Sequence, residues 1–138
     1  MTSSTSLEWK KKYELGIDDI DFQHHFFLNL INRLSNELLS PDSRSHRASL
    51  IAELNAYARF HFISEENMMR RAGYPALDEH KKHHLELTDQ LSRKESMLHI
   101  TDSEKEAVAV VDFLVDWFIN HTVYEDRLFA KYFHDQVD

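Results

Sequence analysis

Only two glycines and two prolines interrupt 138 residues, and this scarcity of backbone breakers constrains the fold most. A β-sandwich or barrel turns at short, regular intervals and draws on many more such residues. Long uninterrupted helices need few. The breakers fall in three places: Ser40-Pro41-Asp42-Ser43, Gly73-Tyr74-Pro75 and Ile100-Thr101-Asp102-Ser103. Gly73 followed by Pro75 fits a helix end and a new start. Thr101 followed by Glu104 has the spacing of a capping box, which marks a helix start. Asp18, two residues after Gly16, is the expected first cap. The chain divides into an N-terminal arm, residues 1–16, and four long segments within 17–138. At this length one domain with one core is expected, burying roughly two thirds of the unfolded surface.

Each segment carries apolar residues at alternating spacings of three and four, the pattern of a helix facing a bundle core. The first reads Ile17, Ile20, His24, Phe27, Ile31, Leu34, Leu38 and the second Leu50, Leu54, Tyr57, His61, Glu65, Met68, Ala72. The third reads Leu77, His80, His84, Leu87, Leu91, Leu98 and the fourth Val110, Leu114, Trp117, His121, Tyr124, Leu128. Short connections make neighbouring helices antiparallel. The predicted fold is all-α, an up-down-up-down antiparallel four-helix bundle, with Leu7, Trp9, Tyr13 and Leu15 of the arm packed across one end or side.

Every seam is broken by a polar residue where an apolar one is demanded: His24, His61, Glu65, His80, His84 and His121. A buried ionisable group is costly unless paired or bound to a metal. Two residues of an antiparallel hairpin share a level when their midpoint falls on the turn. The midpoint of 24 and 61 falls within Pro41-Asp42-Ser43, that of 65 and 84 within Tyr74-Pro75, and that of 84 and 121 within Asp102-Ser103. All four helices therefore place polar core residues in one layer. Asp126 lies five residues after His121, about 140° round an α-helix. It reaches the layer from the flank, most easily if the fourth helix widens locally as π-bulges do. Five imidazoles and two carboxylates exceed one tetrahedral zinc site. They suit two borderline metal ions bridged by carboxylates, and iron is the natural candidate for nitrogen and oxygen ligands without thiolate. His25, His46, His83, His99 and His134 lie off the seams and are read as surface residues or outer partners.

Composition narrows the alternatives. Cysteine is absent, which removes disulfides, thiolate clusters and cysteine nucleophiles. Sixteen basic against 24 acidic residues give a net charge of −8, against a nucleic-acid surface. The most apolar stretch, Val108 to Ile119, is interrupted by Asp112 and Asp116 and reads as too short to span a bilayer. With no apolar signal run near the N-terminus, the expected location is the cytoplasm, with no membrane partner. No large apolar surface stripe is evident, so a monomer is expected.

These residues resemble the hemerythrin family, in particular its small single-domain bacterial members. The resemblance is carried by Trp9, Gly16-Ile17, Ile20-Asp21-x-Gln23-His24, His61-Phe62-x-x-Glu65-Glu66 with Met69, Tyr74-Pro75, His80-x3-His84 and Trp117-Phe118-Ile119-Asn120-His121-x4-Asp126. It covers nearly the whole chain. It implies a non-haem di-iron centre that binds O2 reversibly, with the irons cycling between Fe2+ and Fe3+ and a bridging oxo or hydroxo group. By that resemblance His80, His84 and His121 hold one iron, His24 and His61 hold the other, and Glu65 and Asp126 bridge them. The second iron keeps an open position for O2, with NO or small anions as further ligands. The pocket around it falls on Phe27, Phe62, Trp117, Phe118 and Thr122. Thr122 departs from the aliphatic residue that the family commonly has there. Its hydroxyl is expected to alter the rate at which the oxygenated site decays to the ferric state. Unchanged decay and oxygen release in Thr122→Ile would overturn that expectation.

The resemblance implies a binding protein and not an enzyme. A di-iron oxidase or peroxidase on a ferritin-like bundle uses Glu-x-x-His pairs, and no Glu here is followed three residues later by His. A sensor of O2, NO or redox state needs a separate partner protein, or a longer parent chain, to carry its output. Iron handling fits a closed histidine core less well, and a metal-free bundle leaves costly ionisable groups buried.

Overall fold

The computed structural model describes residues 7–101 and 103–136, the side chains of Ser43, Arg44, His121 and Thr122 excepted. Four long helices account for most of these residues. They are α1 (Asp18–Leu38), α2 (Arg47–Ala72), α3 (Leu77–Thr101) and α4 (Glu104–Asp135). Short 3-10 turns at Lys11–Tyr13 and Pro41–His46 complete the order. α1 packs on α2, α2 on α3, α3 on α4 and α4 back on α1. Each helix thus packs on two others, which closes the expected antiparallel four-helix bundle.

The caps show where local chemistry sets the boundaries. Asp18 does not cap α1, because it is already helical and Ile17 holds the cap position. Asp21, one turn in, reaches back instead. Its carboxylate accepts the Leu15 N–H at 2.8 Å and the Gly16 N–H at 3.0 Å, placing negative charge at the positive helix end. Gly16 has φ +80°, and a Cβ there would lie 3.0 Å from Nε2 of His134, so both backbone and space demand glycine. α2 ends as expected at Gly73, φ +69°. The Tyr74 N–H returns to the Met69 carbonyl at 2.9 Å, the longer bond of a Schellman motif. Thr101 does not start α4. It closes α3, its hydroxyl donating to the Met97 carbonyl at 3.0 Å. Ser103 caps α4 by accepting the Glu106 N–H. Both Thr101/Glu104 and Ser103/Glu106 have the capping spacing, and the chain caps with the later residue, Ser103.

α4 departs from regular geometry. Residues Phe118–Val123 form a π turn between α-helical stretches Glu104–Trp117 and Tyr124–Asp135. A wider turn delays the phase of everything after it. The seam pattern places Tyr124 and Leu128 inside, yet they are 61% and 50% exposed. Asp126, Phe129 and Ala130 are buried in their place. The helix is also longer than the apolar run suggests. At 32 residues and a mean hydropathy of 1.2 in its richest stretch, it is long and apolar enough to cross a membrane. In this fold its apolar face, with Val110, Val111, Leu114 and Trp117, is buried in the bundle.

The core has two parts. One contains Phe27, Ile31, Leu34, Ile51, Leu54, Phe62, Leu87, Leu91, Leu114 and Phe118. The other gathers Leu15, Ile17, Ile20, Met69, Phe129 and Ala130 at the opposite end. Between them lies the polar layer. The arm is held by Asn32, which accepts the Leu7 N–H at 2.7 Å and donates to the Leu7 carbonyl at 2.6 Å. One surface feature contradicts the sequence expectation of no apolar stripe. Phe22, 80% exposed, and the exposed Phe26 and Phe60 lie on α1 and α2, and Tyr57 contacts Phe26 at 4.8 Å. Tyr57 also meets Phe60 at 5.9 Å, so it joins Phe26 to Phe60 across two helices, a contact that a linear reading does not reveal.

Candidate metal centre

Each wall of the layer follows from its helix. On α2, His61 and Glu65 are four residues apart and share a face, as do His80 and His84 on α3. His24 projects from α1 and Asp126 from α4 beyond the π turn. All six side chains are buried. Their ligand atoms form two overlapping groups, His24/His61/Glu65/Asp126 and His80/His84/Glu65/Asp126, with all atoms of a group within 4.8 Å of one another. Glu65 and Asp126 belong to both.

The two carboxylates divide their oxygens between the groups. Oε1 of Glu65 lies 3.1 Å from Nε2 of His80 and 3.1 Å from Nε2 of His84, and Oε2 lies 3.8 Å from Nε2 of His61. Oδ1 of Asp126 lies 2.9 Å from Nε2 of His80, and Oδ2 lies 2.9 Å from Nε2 of His24. All four described imidazoles therefore present Nε2 to the centre. Nε2 of His61 and Oε2 of Glu65 are buried without a hydrogen-bond partner. Such orphaned atoms are costly, and a cation between them would satisfy both. The donor set fits a borderline metal such as iron.

Outer contacts fix the imidazoles. Nδ1–H of His84 donates to Oε2 of Glu66 at 2.7 Å, and Nδ1–H of His61 donates to Oε1 of Gln23 at 2.7 Å. The Gln23 amide is itself oriented by donating to Oγ of Ser64 at 3.1 Å. Sequence reasoning gave Gln23 and Glu66 no role beyond the motif. Their adjacency to His24 and Glu65 was the available signal.

The predicted pocket residues fall on two sides. Phe27 and Phe118 are buried. The Phe27 ring lies 6.0 Å from that of His61, and the Phe118 ring 6.0 Å from that of His24. Phe62 stacks on His84 at 3.9 Å and meets Trp117 at 5.6 Å. A cavity of only about 10 Å³ borders Phe62, His80, His83, His84, Trp117, Glu125 and Asp126, at the lower limit for one water. The side chains of His121 and Thr122 lie outside the described residues. His25 stacks on Trp9 at 3.5 Å, and His134 bonds the Leu15 carbonyl at 2.8 Å, so both serve the arm.

A four-helix bundle with one buried layer of histidines and shared carboxylates is a cation-binding helical bundle. The chain belongs to the hemerythrin family: the profile described as "Hemerythrin HHE cation binding domain" matches residues 15–133. It is 34% identical over 127 residues to a bacteriohemerythrin of Clostridium acetobutylicum, spanning 86% of this chain and 95% of that one. It is 30% identical over 131 residues to a bacteriohemerythrin of Stenotrophomonas maltophilia, spanning 95% and 81%. A crystal structure of a hemerythrin mutant shares the fold, with a TM-score of 0.74, 21% identity and coverage of 92% and 96%. The family and the buried His/Glu/Asp groups together support iron binding.

Without iron the layer must satisfy itself, and its protonation shows how. Burial drives the His61 imidazolium down to about 3. Burial also opposes charge on His80, but hydrogen bonds and charge from Asp126 and Glu65 outweigh it and raise His80 to about 10. Burial pushes Asp126 up, and hydrogen bonds from His24 and His80 overcome this and hold it well below the usual carboxylate range. The His61 contribution to stability is present above its ordinary value of 6.5 and is lost as pH falls towards 3. The His80 contribution is present below 6.5 and is lost as pH rises through about 10. Iron-free protein is therefore expected to be most stable near pH 6.5 and to weaken on both sides. Urea unfolding across that range checks this, and a profile that only rises or only falls would count against it.

Proposed function

We propose that this chain binds dioxygen reversibly at two irons held in the buried layer, as a carrier, store or delivery protein, with no substrate turned over. His80, His84 and His121 would hold one iron and His24 and His61 the other. Glu65 and Asp126 would bridge them beside an oxo or hydroxo group. The observation that carries this reading is that each carboxylate offers one oxygen to each histidine group. The iron pair supplies reversible electron donation to O2. The chain supplies the rest: imidazoles oriented by Gln23 and Glu66, and closure by Phe27 and Phe118 on the His24/His61 side. Exclusion of water there protects the bound state from conversion to an inert ferric site. The relatives named bacteriohemerythrin favour the same activity. We read residues 1–138 as one functional unit acting in the cytoplasm, with NO or small anions as competing ligands.

The test combines metal analysis with visible absorption: reduce the protein without oxygen, admit air, then remove it. Two irons per chain and a band that appears with air and fades on its removal are expected. Direct conversion to the ferric state without that band would overturn the carrier reading and favour sensing or oxidase chemistry.

A further inference from the structure

The partners behind the imidazoles are unequal in charge. Behind His84 stands a carboxylate, Glu66, at 2.7 Å. Behind His61 stands a neutral amide, Gln23, at the same distance, held as an acceptor by its own bond to Ser64. His24 has no such partner among the described residues, its Nδ1 being buried without a hydrogen bond. A carboxylate that accepts an Nδ1–H draws the imidazole towards imidazolate and makes its Nε2 a stronger donor to a metal. An amide does this far less. Glu66 is shielded enough for its charge to count, its side chain being 20% exposed. The stacked Phe62 ring removes water from one face of His84.

We propose that Glu66 is a positioning residue that makes the two halves electronically unequal, so that the His80/His84 half holds ferric charge the more strongly. The inference rests on the two-iron reading above. Its consequence is functional. When one ion is ferric and one ferrous, the ferric ion sits on the His80/His84 side. The ferrous ion is then left in the His24/His61 half, against the rings of Phe27 and Phe118.

The experiment is an anaerobic potentiometric titration of the iron-loaded protein, with metal analysis and thermal unfolding on the same samples. Glu66→Gln keeps the shape and the hydrogen bond and removes the charge. It is expected to raise the midpoint potential by about tenfold in the equilibrium constant, about 59 mV for one electron. Gln23→Glu is expected to lower it. The melting temperature of Glu66→Gln should stay near that of the unaltered chain, which separates an electronic role from a structural one. An unchanged potential in Glu66→Gln at full iron content, or shifts of the same sign in both variants, would overturn the proposal. Because no oxygen is present, failure of reversible O2 binding leaves this result standing. Fewer than two irons in the unaltered chain would overturn the reading beneath it as well.

Discussion

Glu65→Ala is expected to strip metal from both halves of the centre at once. Glu65 is the residue whose two oxygens face His80 and His84 on one side and His61 on the other. Loss of an outer partner typically costs 10–100-fold in metal affinity. Loss of a shared ligand should cost roughly 100-fold or more at each position, about 2.8 kcal/mol or more by the usual conversion. The contrast is His24→Ala, which touches only the group that contains His61 and should spare the His80/His84 side. Iron content per chain after equilibration with a ferrous chelator distinguishes the two. Glu65→Ala should retain well under one iron, and His24→Ala about one. The alanine also strands imidazoles that Glu65 partners in the iron-free state, and breaking such a buried pair costs about 3–5 kcal/mol. Iron-free Glu65→Ala should therefore unfold at lower urea than the iron-free parent. Equal iron loss in both variants would show that the carboxylate is not shared.

Much of the layer was legible because helix geometry converts sequence distance into position. His24, His61, Glu65, His80 and His84 each break an otherwise apolar seam, and the levels computed from the turns placed them together. The fourth helix was legible only in part. Its seam runs correctly through Val110, Leu114 and Trp117 and then fails at Tyr124 and Leu128, because a π turn at Phe118–Val123 shifts the phase. Nothing in the local propensities marks that turn. The need for Asp126 to reach the layer was the one sign of it. The outer bonds of Gln23 and Glu66 were legible only as adjacency to His24 and Glu65. They depend on which way a side chain leaves its helix relative to a neighbouring helix, and a periodic pattern does not carry that. The surface cluster of Phe26, Tyr57 and Phe60 was missed for the same reason.

Phe118→Ala is expected to couple a stability loss to a chemical one. Phe118 is fully buried at the start of the π turn. Its ring meets Tyr13 of the arm at 5.9 Å, Phe27 at 6.0 Å and His24 at 6.0 Å. Truncating a buried phenylalanine costs about 3–5 kcal/mol, a fall in melting temperature on the order of 15 °C for a domain of this size. The cavity opens beside His24, on the side where Phe27 and Phe118 exclude water. If the protein binds O2 as proposed, water admitted there should speed conversion of the oxygenated protein to the ferric form. Phe118→Leu separates the two effects, since it keeps most of the apolar volume and should restore most of the stability. If the ring acts only as packing, decay of the oxygenated band will follow the melting temperature through parent, leucine and alanine. If the ring is also a barrier, decay will remain faster in Phe118→Leu than its recovered stability explains, because a leucine side chain cannot cover the face of His24 as a ring does. Unchanged decay in Phe118→Ala would remove Phe118 from the proposed oxygen pocket and leave it a core residue.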